Sequence, residues 1–323
     1  VWRYAKDVTD KYISENRLYW GSDGKAKYPR IKLYLSEMDN VVPRSVWSHA
    51  DVGHTQQASN EIKSLFDGDQ IFDTPKPTKL IQRLIQLSSK HDNDIVLDFF
   101  AGSGTTAHSV FLQGCDDSIK RKFILVQLPE LLSQENREQR GSLEFCRKLG
   151  LKPTISELTK ERLRRAGAKV SADNPDWQGD TGFRVFKLDT SNIRPWSADA
   201  ASLDAQMQAS LSPLLEDRSQ DDVMTELLLK RGIDLSVRLE VRDFDGLRVT
   251  CAGNGMLFTC LESHIPASSI EALASGLTTW HRELGGSADA VCYFIDEAFE
   301  NNVAKSNLCA TLVQQGLNQL HSL

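Results

Sequence analysis

The chain has no C-x-x-C pair, no long apolar run, no visible secretory signal and no excess of positive charge. Each absence excludes something. The six cysteines, Cys115, Cys146, Cys251, Cys260, Cys292 and Cys309, lack metal-type spacing, and several lie in apolar runs such as "AVCYFI". They read as buried thiols of a reduced, cytoplasmic protein, and no metal site is expected. A membrane helix needs roughly 20 consecutive apolar residues, so no membrane partner is expected either. A formal net charge of −6 argues against tight nonspecific nucleic-acid binding, which comes from neutralising phosphates.

Basic residues are clustered locally instead. Lys25, Lys27, Arg30 and Lys32 surround a turn beside Tyr28 and Tyr34; Lys120-Arg121-Lys122 precede a strand; five cations lie between Lys160 and Lys169. Each cluster reads first as a solvated face, and the tyrosines give the first some credit as a nucleic-acid contact. A length of 323 residues with 40% hydrophobic content suits about two domains with proper cores.

The informative stretch is "DFFAGSGTTA", residues 98–107. The apolar run Asp94-Ile95-Val96-Leu97 reads as a buried strand ending at Asp98. Gly102 and Gly104 give a turn. From Thr105, residues Ala107, Val110 and Phe111 fall at helical spacing, with Gly114 as the expected stop. Strand, glycine turn and helix open a doubly wound nucleotide-binding fold, in which glycines admit a ligand to the backbone and the helix N-terminus offers unpaired N–H groups. A P-loop would need Gly-Lys-Ser/Thr, but Gly104 is followed by Thr105 and Thr106; a dinucleotide loop would need a third glycine. A cofactor without phosphates fits. Asp98 at the strand end suits the positive charge of S-adenosylmethionine.

Around this loop the helix at 78–88 carries Leu80, Leu84 and Leu87 on one face and leads through "HDND" into the strand. A second strand is expected at 123–128, helices near 131–148 and 155–166, and another strand at "GFRVFKL". Residues 196–217 read as a linker. Beyond them lies a small α/β unit: a helix at 221–232, a hairpin turning at Asp245-Gly246, a short strand, a helix at 268–284, the buried strand "AVCYFID" and a helix ending at Gly316. Asp296, Glu297 and His281 read as cap residues rather than a metal or nuclease site.

Upstream of the loop stands "FDTPKPTKLIQRLIQLSSKHDNDIVLDFFAGSGTT" (72–106) and downstream "RKFILVQLPE" (121–130). These segments resemble the beta-group amino-methyltransferases of DNA. The particular wording is similar to the Mod subunit of type III restriction-modification systems. So are the flanks "RLYWGSDGKAKYPRIKLYLSE", "VPRSVWSHADVGHTQQA", "GFRVFKLDTSNIRPW" and "TELLLKRGIDL". The resemblance implies an α/β fold, a doubly wound Rossmann-like methyltransferase sheet with a smaller α/β C-terminal domain. It divides the chain into a segment at 1–70 following the target-recognition region, a cofactor-binding part at 71–195, the linker at 196–217 and an assembly domain at 218–323. The implied function is transfer of a methyl group from S-adenosylmethionine to an adenine N6 in a short DNA sequence. The implied partners are double-stranded DNA, a second Mod copy and the restriction (Res) subunit.

Site residues follow from the same resemblance. Asp98 is expected to meet the methionine ammonium, its alternative role being a helix cap. Gly102 and Gly104 admit the ligand, and Ser103, Thr105 and Thr106 add hydroxyls. Of Phe99 and Phe100, one is expected in the core and the other on the cofactor. Thr74 and Lys76, in Thr74-Pro75-Lys76-Pro77, match the family segment near the methionine end. Related enzymes hold the ribose with an acid after the second strand; here Gln127 stands there, and Glu130 is the alternative.

The family's catalytic Asp/Asn-Pro-Pro-aromatic loop, which orients the flipped adenine, has no counterpart in residues 1–97. Asn174-Pro175-Asp176-Trp177 comes nearest but sits in a Pro/Gly/Asp-rich stretch that reads as a turn. The chain starts at Val1 without Met and is expected to be the C-terminal part of a larger enzyme, inactive alone. A noncatalytic, cofactor-dependent scaffold for DNA-translocating partners is the other function class.

Overall fold

A computed structural model describes residues 4–37, 42–193, 214–215 and 217–323. The chain forms two compact units, residues 1–182 and 183–323. Both mix helices and strands.

In the first unit the order is α1 (Lys6–Ser14), β1 (Leu18–Tyr19), β2 (Arg30–Ile31), α2 (His49–Val52), α3 (Thr55–Leu65), α4 (Thr78–Ser88), β3 (Ile95–Asp98), α5 (Thr105–Asp117), β4 (Lys122–Leu125), α6 (Arg140–Leu149) and α7 (Ile155–Asp173). Strands β3 and β4 pair in parallel, Asp98 opposite Leu125. The segment before residue 70 joins the rest through a shared core, in which Ile62, Leu65 and Phe66 meet Leu143, Phe145 and Leu158. Arg165 lies over the rings of Phe66 and Phe145 and donates to the carbonyl of Leu65, fastening α7 to the end of α3.

Helix α5 is buried almost all round, as a helix between a sheet and two other helices must be. It does not stop at Gly114. It runs to Asp117 and ends at Ser118, whose φ of 60° is left-handed. Gly114 instead makes room for Trp177, whose indole Nε1 donates to the Gly114 carbonyl at 3.1 Å. Helix α4 also turns differently from its leucine pattern: Thr78 and Ile85 are buried and Leu84 is exposed. Neither Phe99 nor Phe100 enters the core; they are 62% and 80% exposed, their rings 5.2 Å apart. Both follow the strand end, where only a ligand or another segment would cover them.

One face of the β3–β4 pair is covered, with Phe111 of α5 edge-on to Phe123. The other is bare. Ile95 and Leu97 of β3, Ile124 of β4, and Val126 and Leu128 in the chain that follows β4 are between 48% and 63% exposed, at alternate positions.

The second unit contains α8 (Gln220–Lys230), β5 (Leu239–Phe244), β6 (Leu247–Ala252), β7 (Leu257–Cys260), α9 (Ile270–Glu283), β8 (Val291–Phe294), α10 (Asn302–Gln314) and β9 (Gln319–Ser322). The sheet order is β5-β6-β7-β8-β9, antiparallel through β7 and parallel from β7 to β9. Asp245 and Gly246 both take positive φ at the hairpin turn, as a type I′ turn requires. Helices α9 and α10 cover one face around Trp280, and α8 covers the other with Val223, Met224 and Leu227. The terminal strand β9 had no signal in the sequence pattern. "GFRVFKL" forms no strand: Val185 and Phe186 are exposed, and Arg184 donates to the carbonyls of Leu235 and Val237 at 2.7 and 2.6 Å. The stretch read as a linker, 196–217, lies outside the described residues except for 214, 215 and 217.

Glu226 of α8 ties residues 191–192 to this unit. Its carboxylate accepts from the Ser191 hydroxyl, from the Asn192 backbone and amide, and from Lys230. Burial works to raise its pKa, but the hydrogen bonds outweigh it and hold the group down at about 2. A depressed carboxylate contributes stability above its unfolded pKa and loses it as pH falls through the folded value. Glu226→Gln is therefore expected to lower the melting temperature near pH 7 and to flatten its fall between about pH 4.5 and 2. Calorimetry across that range checks it; an unchanged acid slope would contradict the assignment.

Candidate functional site: the glycine loop and its supports

The loop between β3 and α5 turns at Gly102 (φ 50°) and Gly104 (φ 74°). Its two glycines serve different purposes. A Cβ on Gly102 would meet nothing closer than 3.7 Å, so that side is open for a ligand. A Cβ on Gly104 would lie 2.7 Å from Leu163 Cδ1 and 2.9 Å from Thr159 Cγ2, so Gly104 is required by the approach of α7.

Asp98 lies where the strand ends, and both its oxygens are engaged. Oδ2 accepts from the Thr106 hydroxyl at 2.6 Å and Oδ1 from the Phe100 N–H at 3.1 Å. Each oxygen keeps a further lone pair. Gln127 folds back onto the loop: its Oε1 accepts from the Gly102 N–H at 2.7 Å and its amide donates to the Leu128 carbonyl. Thr105 donates to the Lys76 carbonyl at 3.3 Å, and Ser109 to that of Thr78 at 3.2 Å, so the "TPKP" segment is docked on α5. Thr74, Lys76 and Glu130 are exposed, while Pro75 and Pro77 are buried.

The structure adds residues that motif reading missed. Thr159 donates to the Gly102 carbonyl at 2.5 Å. Glu61 of α3 accepts from the Thr78 N–H at 3.1 Å. Arg162 is fully buried; its Nη1 donates to the Ser103 carbonyl, the Ser103 hydroxyl and the Thr105 hydroxyl at 3.1, 2.9 and 2.9 Å. Its Nε and Nη2 have no hydrogen-bond partner among the described residues. Burial lowers its pKa to about 10, which leaves it charged at neutral pH. His108, one turn into α5, is held neutral, its pKa brought down to about 3 by burial and by the charge of Arg162.

The sequence did carry a signal for Arg162. The other cations of its cluster pair along the helix: Lys160 with Glu157, Arg164 and Arg165 with Glu161, and Lys169 with Asp173. Arg162 has no acid three or four residues away and sits in the buried stripe Leu158, Arg162, Ala166, Val170. The other basic clusters are also partly spent on structure. Arg121 is bound to Asp117 and to Ser89, and Arg17 lies over Tyr34. Tyr28 stays 71% exposed beside Lys27.

Asn174-Pro175-Asp176-Trp177 closes α7. Asn174 donates back to the Val170 carbonyl, and Trp177 grips Gly114. Gly114 is ten residues along α5 from Gly104, about 15 Å at 1.5 Å per residue, so this turn lies far from the loop. In the second unit, Asp296 pairs with Lys305, and His281 contacts the Ser287 carbonyl at 2.9 Å. Among the described residues no group of three His, Cys, Asp or Glu side chains is placed to hold a metal.

Comparison with known proteins bears on this loop. Residues 5–127 match a family model described as DNA methylase. The Mod subunit of the type III restriction-modification enzyme StyLTI from Salmonella typhimurium is 35% identical over 190 residues, 59% of this chain and 27% of that protein. The EcoP15I Mod subunit from Escherichia coli is 34% identical over 188 residues, 58% of this chain and 26% of that protein. Over these stretches the chain is similar to type III Mod subunits. A type II methyltransferase from Klebsiella pneumoniae, M.KpnI, is 39% identical over 97 residues, 30% of this chain and 22% of its own. The chain thus spans about a quarter of the length of the Mod subunits it matches.

The two glycines can be separated by experiment. Alanine at either one incurs left-handed strain of about 1–2 kcal/mol. Only at Gly104 does it also clash, with a threonine fixed by its own hydrogen bonds and a buried leucine. Gly104→Ala is expected to destabilise the first unit by roughly 1–3 kcal/mol more than Gly102→Ala, the usual range for overpacking. Urea unfolding of both variants measures the difference; equal losses would mean that α7 does not press on the loop.

Proposed function

We infer that this chain carries the S-adenosylmethionine-binding part of a DNA adenine-N6 methyltransferase of the Mod type. The observation that supports it best is the loop itself: a turn whose open side is at Gly102, with an aspartate at the strand end, at a helix N-terminus, inside the segment similar to DNA methylases. The residues fit the group. Asp98 keeps lone pairs for an ammonium, the Gly102 side is free of any Cβ, and Phe99 and Phe100 stand bare beside it. Lys76 and Thr74 stand exposed on the adjoining segment. Gln127 and Glu130 remain the two acceptors for the ribose; Gln127 has already committed one lone pair to Gly102.

Bound S-adenosylmethionine supplies an electrophilic methyl group. The chain's own residues bind and orient the cofactor, but none of them forms an Asp/Asn-Pro-Pro-aromatic acceptor for the adenine amine. The bare apolar face of β3–β4 supports a larger, doubly wound sheet, because parallel sheets are buried on both faces. In this reading helices of the rest of the methyltransferase fold cover that face, and the same part brings the catalytic loop. Double-stranded DNA is then contacted mainly by that remaining part. The second unit, with its own complete core, serves assembly with a second Mod copy or a Res subunit. Six unpaired thiols suit a reducing cytoplasm, and no helix among the described residues is long and apolar enough to cross a membrane.

Titration calorimetry with S-adenosylmethionine tests the reading. A hydrogen bond to a charged group is worth about 1.5–3 kcal/mol, so Asp98→Ala should weaken binding about ten- to a hundredfold. Unchanged affinity in that variant would remove Asp98 from the site. Incubation of the chain alone with unmethylated DNA and radiolabelled cofactor should give no transfer; transfer lost on Asn174→Ala would put the catalytic loop at residues 174–177 instead.

A further inference from the structure

Cofactor binding at the glycine loop leaves the β1–β2 hairpin of the first unit without a purpose. The two strands pair antiparallel, with Leu18 opposite Ile31. Between them the chain turns through Gly21 (φ 86°) and Gly24 (φ 69°), and the Ala26 N–H donates to the Trp20 carbonyl at 2.8 Å. The base of the hairpin is fastened to α1. The Lys32 N–H donates to the Arg17 carbonyl at 2.7 Å, and the Arg17 N–H to the Tyr12 carbonyl at 2.8 Å. The turn is thus held in one shape before any partner arrives.

Its charge is one-sided. From Leu18 to Tyr34 there are four cations, Lys25, Lys27, Arg30 and Lys32, and one carboxylate, Asp23, which accepts from the Lys25 N–H. The acids at its base are used elsewhere, since Glu15 and Glu37 both pair with Arg17. Lys25, Lys27 and Arg30 are exposed and form no ion pair among the described residues. A solvated face of this chain looks different: on α7 the cations pair with Glu157, Glu161 and Asp173. Tyr28 stands among the unneutralised cations, 71% exposed, with the Lys27 ammonium 5.6 Å from its ring centroid.

We propose that this hairpin is a DNA-contacting surface, on which Lys25, Lys27 and Arg30 hold backbone phosphates and Tyr28 stacks on an unpaired base. This rests on the reading of the chain as part of a DNA methyltransferase. An enzyme that turns a base out of the duplex leaves its pairing partner exposed. A bare aromatic ring among phosphate-binding cations is the chemistry that takes such a base. The net charge of −6 does not oppose this, because counterion release depends on the phosphates neutralised locally. It makes the contact weak and steep in salt, and the acidic remainder of the surface steers phosphate towards the hairpin.

Fluorescence anisotropy of the full chain with a labelled DNA duplex, repeated over a series of salt concentrations, tests the proposal. Each phosphate contact contributes about 0.9 to the slope of log affinity against log salt, so replacing Lys25, Lys27 and Arg30 together by Gln should flatten it by about 3. The melting temperature should not move, because all three side chains are exposed. Tyr28→Ala should keep the slope but weaken binding to a duplex with one unpaired base about fivefold to a hundredfold, the range for one base on an aromatic ring. Tyr28→Phe should bind like the unmodified protein. No binding at low salt, an unchanged slope in the triple variant, or the same loss on paired and unpaired duplexes in Tyr28→Ala would overturn the proposal. Tighter binding of double-stranded RNA would assign the hairpin to another partner and overturn it too. Calorimetry with S-adenosylmethionine on the same samples separates the two readings: intact cofactor binding confines such a failure to the hairpin, and its absence removes both.

Discussion

The loop at residues 99–104 is shaped from below by α7, and the rest of the first unit is arranged around that contact. Three successive elements of α7 act on it. Thr159 takes the Gly102 carbonyl, Arg162 takes Ser103 and Thr105, and Leu163 presses against Gly104. A neutral hydrogen bond contributes about 1 kcal/mol net, so none of these alone fixes a loop. Together they leave the backbone one arrangement, because the glycine that permits the turn is also the one that α7 forbids to carry a side chain. Gln127 fixes the same turn from the end of β4, which ties the loop to both strands. With both backbone groups of Gly102 held, the space where its Cβ would stand remains empty, and it is the side a ligand can use.

The second unit is built on a different principle. Its sheet is covered on both faces, with Trp280 and Phe258 on one side and the α8 leucines on the other. Its buried thiols, Cys251, Cys260 and Cys292, have pKa values raised to about 11, 11 and 12 by desolvation, so they pack as small apolar groups rather than reacting as thiolates. Its charges are at the margins: Arg242 over Trp280, Arg231 over Tyr293, Glu226 around Asn192. Such a unit needs no ligand to be complete. That distinguishes it physically from the first unit, which keeps inside it a cation without an ion pair among the described residues and an apolar sheet face outside.

What the sequence made legible is what local chemistry determines. The strand, glycine turn and helix start from 94 to about 107, the strand near 123, and the Asp-Gly hairpin all announce themselves within a few residues. The misreadings share one cause, a partner far away in sequence. Gly114 looked like a stop because Trp177 was not yet beside it. Leu84 looked buried because the pattern cannot say which stripe of α4 faces α5. "GFRVFKL" has strand composition but no neighbouring strand, and β9 has a neighbour but no strand composition. The packing demand on Gly104 was equally hidden, because the atoms that a Cβ there would meet belong to residues 159 and 163. Only Arg162 was marked locally, by the lack of an acid one turn away in a helix where every other cation has one.

The bare face of β3–β4 extends the same logic to what the sequence encodes but the unit does not satisfy. A strand pair with one solvated face would alternate apolar with polar residues. Here Ile95, Leu97, Ile124, Val126 and Leu128 all point to the exposed side, while Val96 and Phe123 face the helices. Apolar residues on both faces are the signature of a strand written for the interior of a larger sheet. At about 25 cal/mol per Å² of apolar surface, five such side chains left in water forgo several kcal/mol. Beside them, Phe99 and Phe100 continue the apolar surface up to the glycine loop. A segment that covered this face would therefore end against the open side of the loop at Gly102. Covering that continuous apolar surface would bury Phe99 and Phe100 along with the sheet face, so one element laid there could close both the sheet and the approach to the loop.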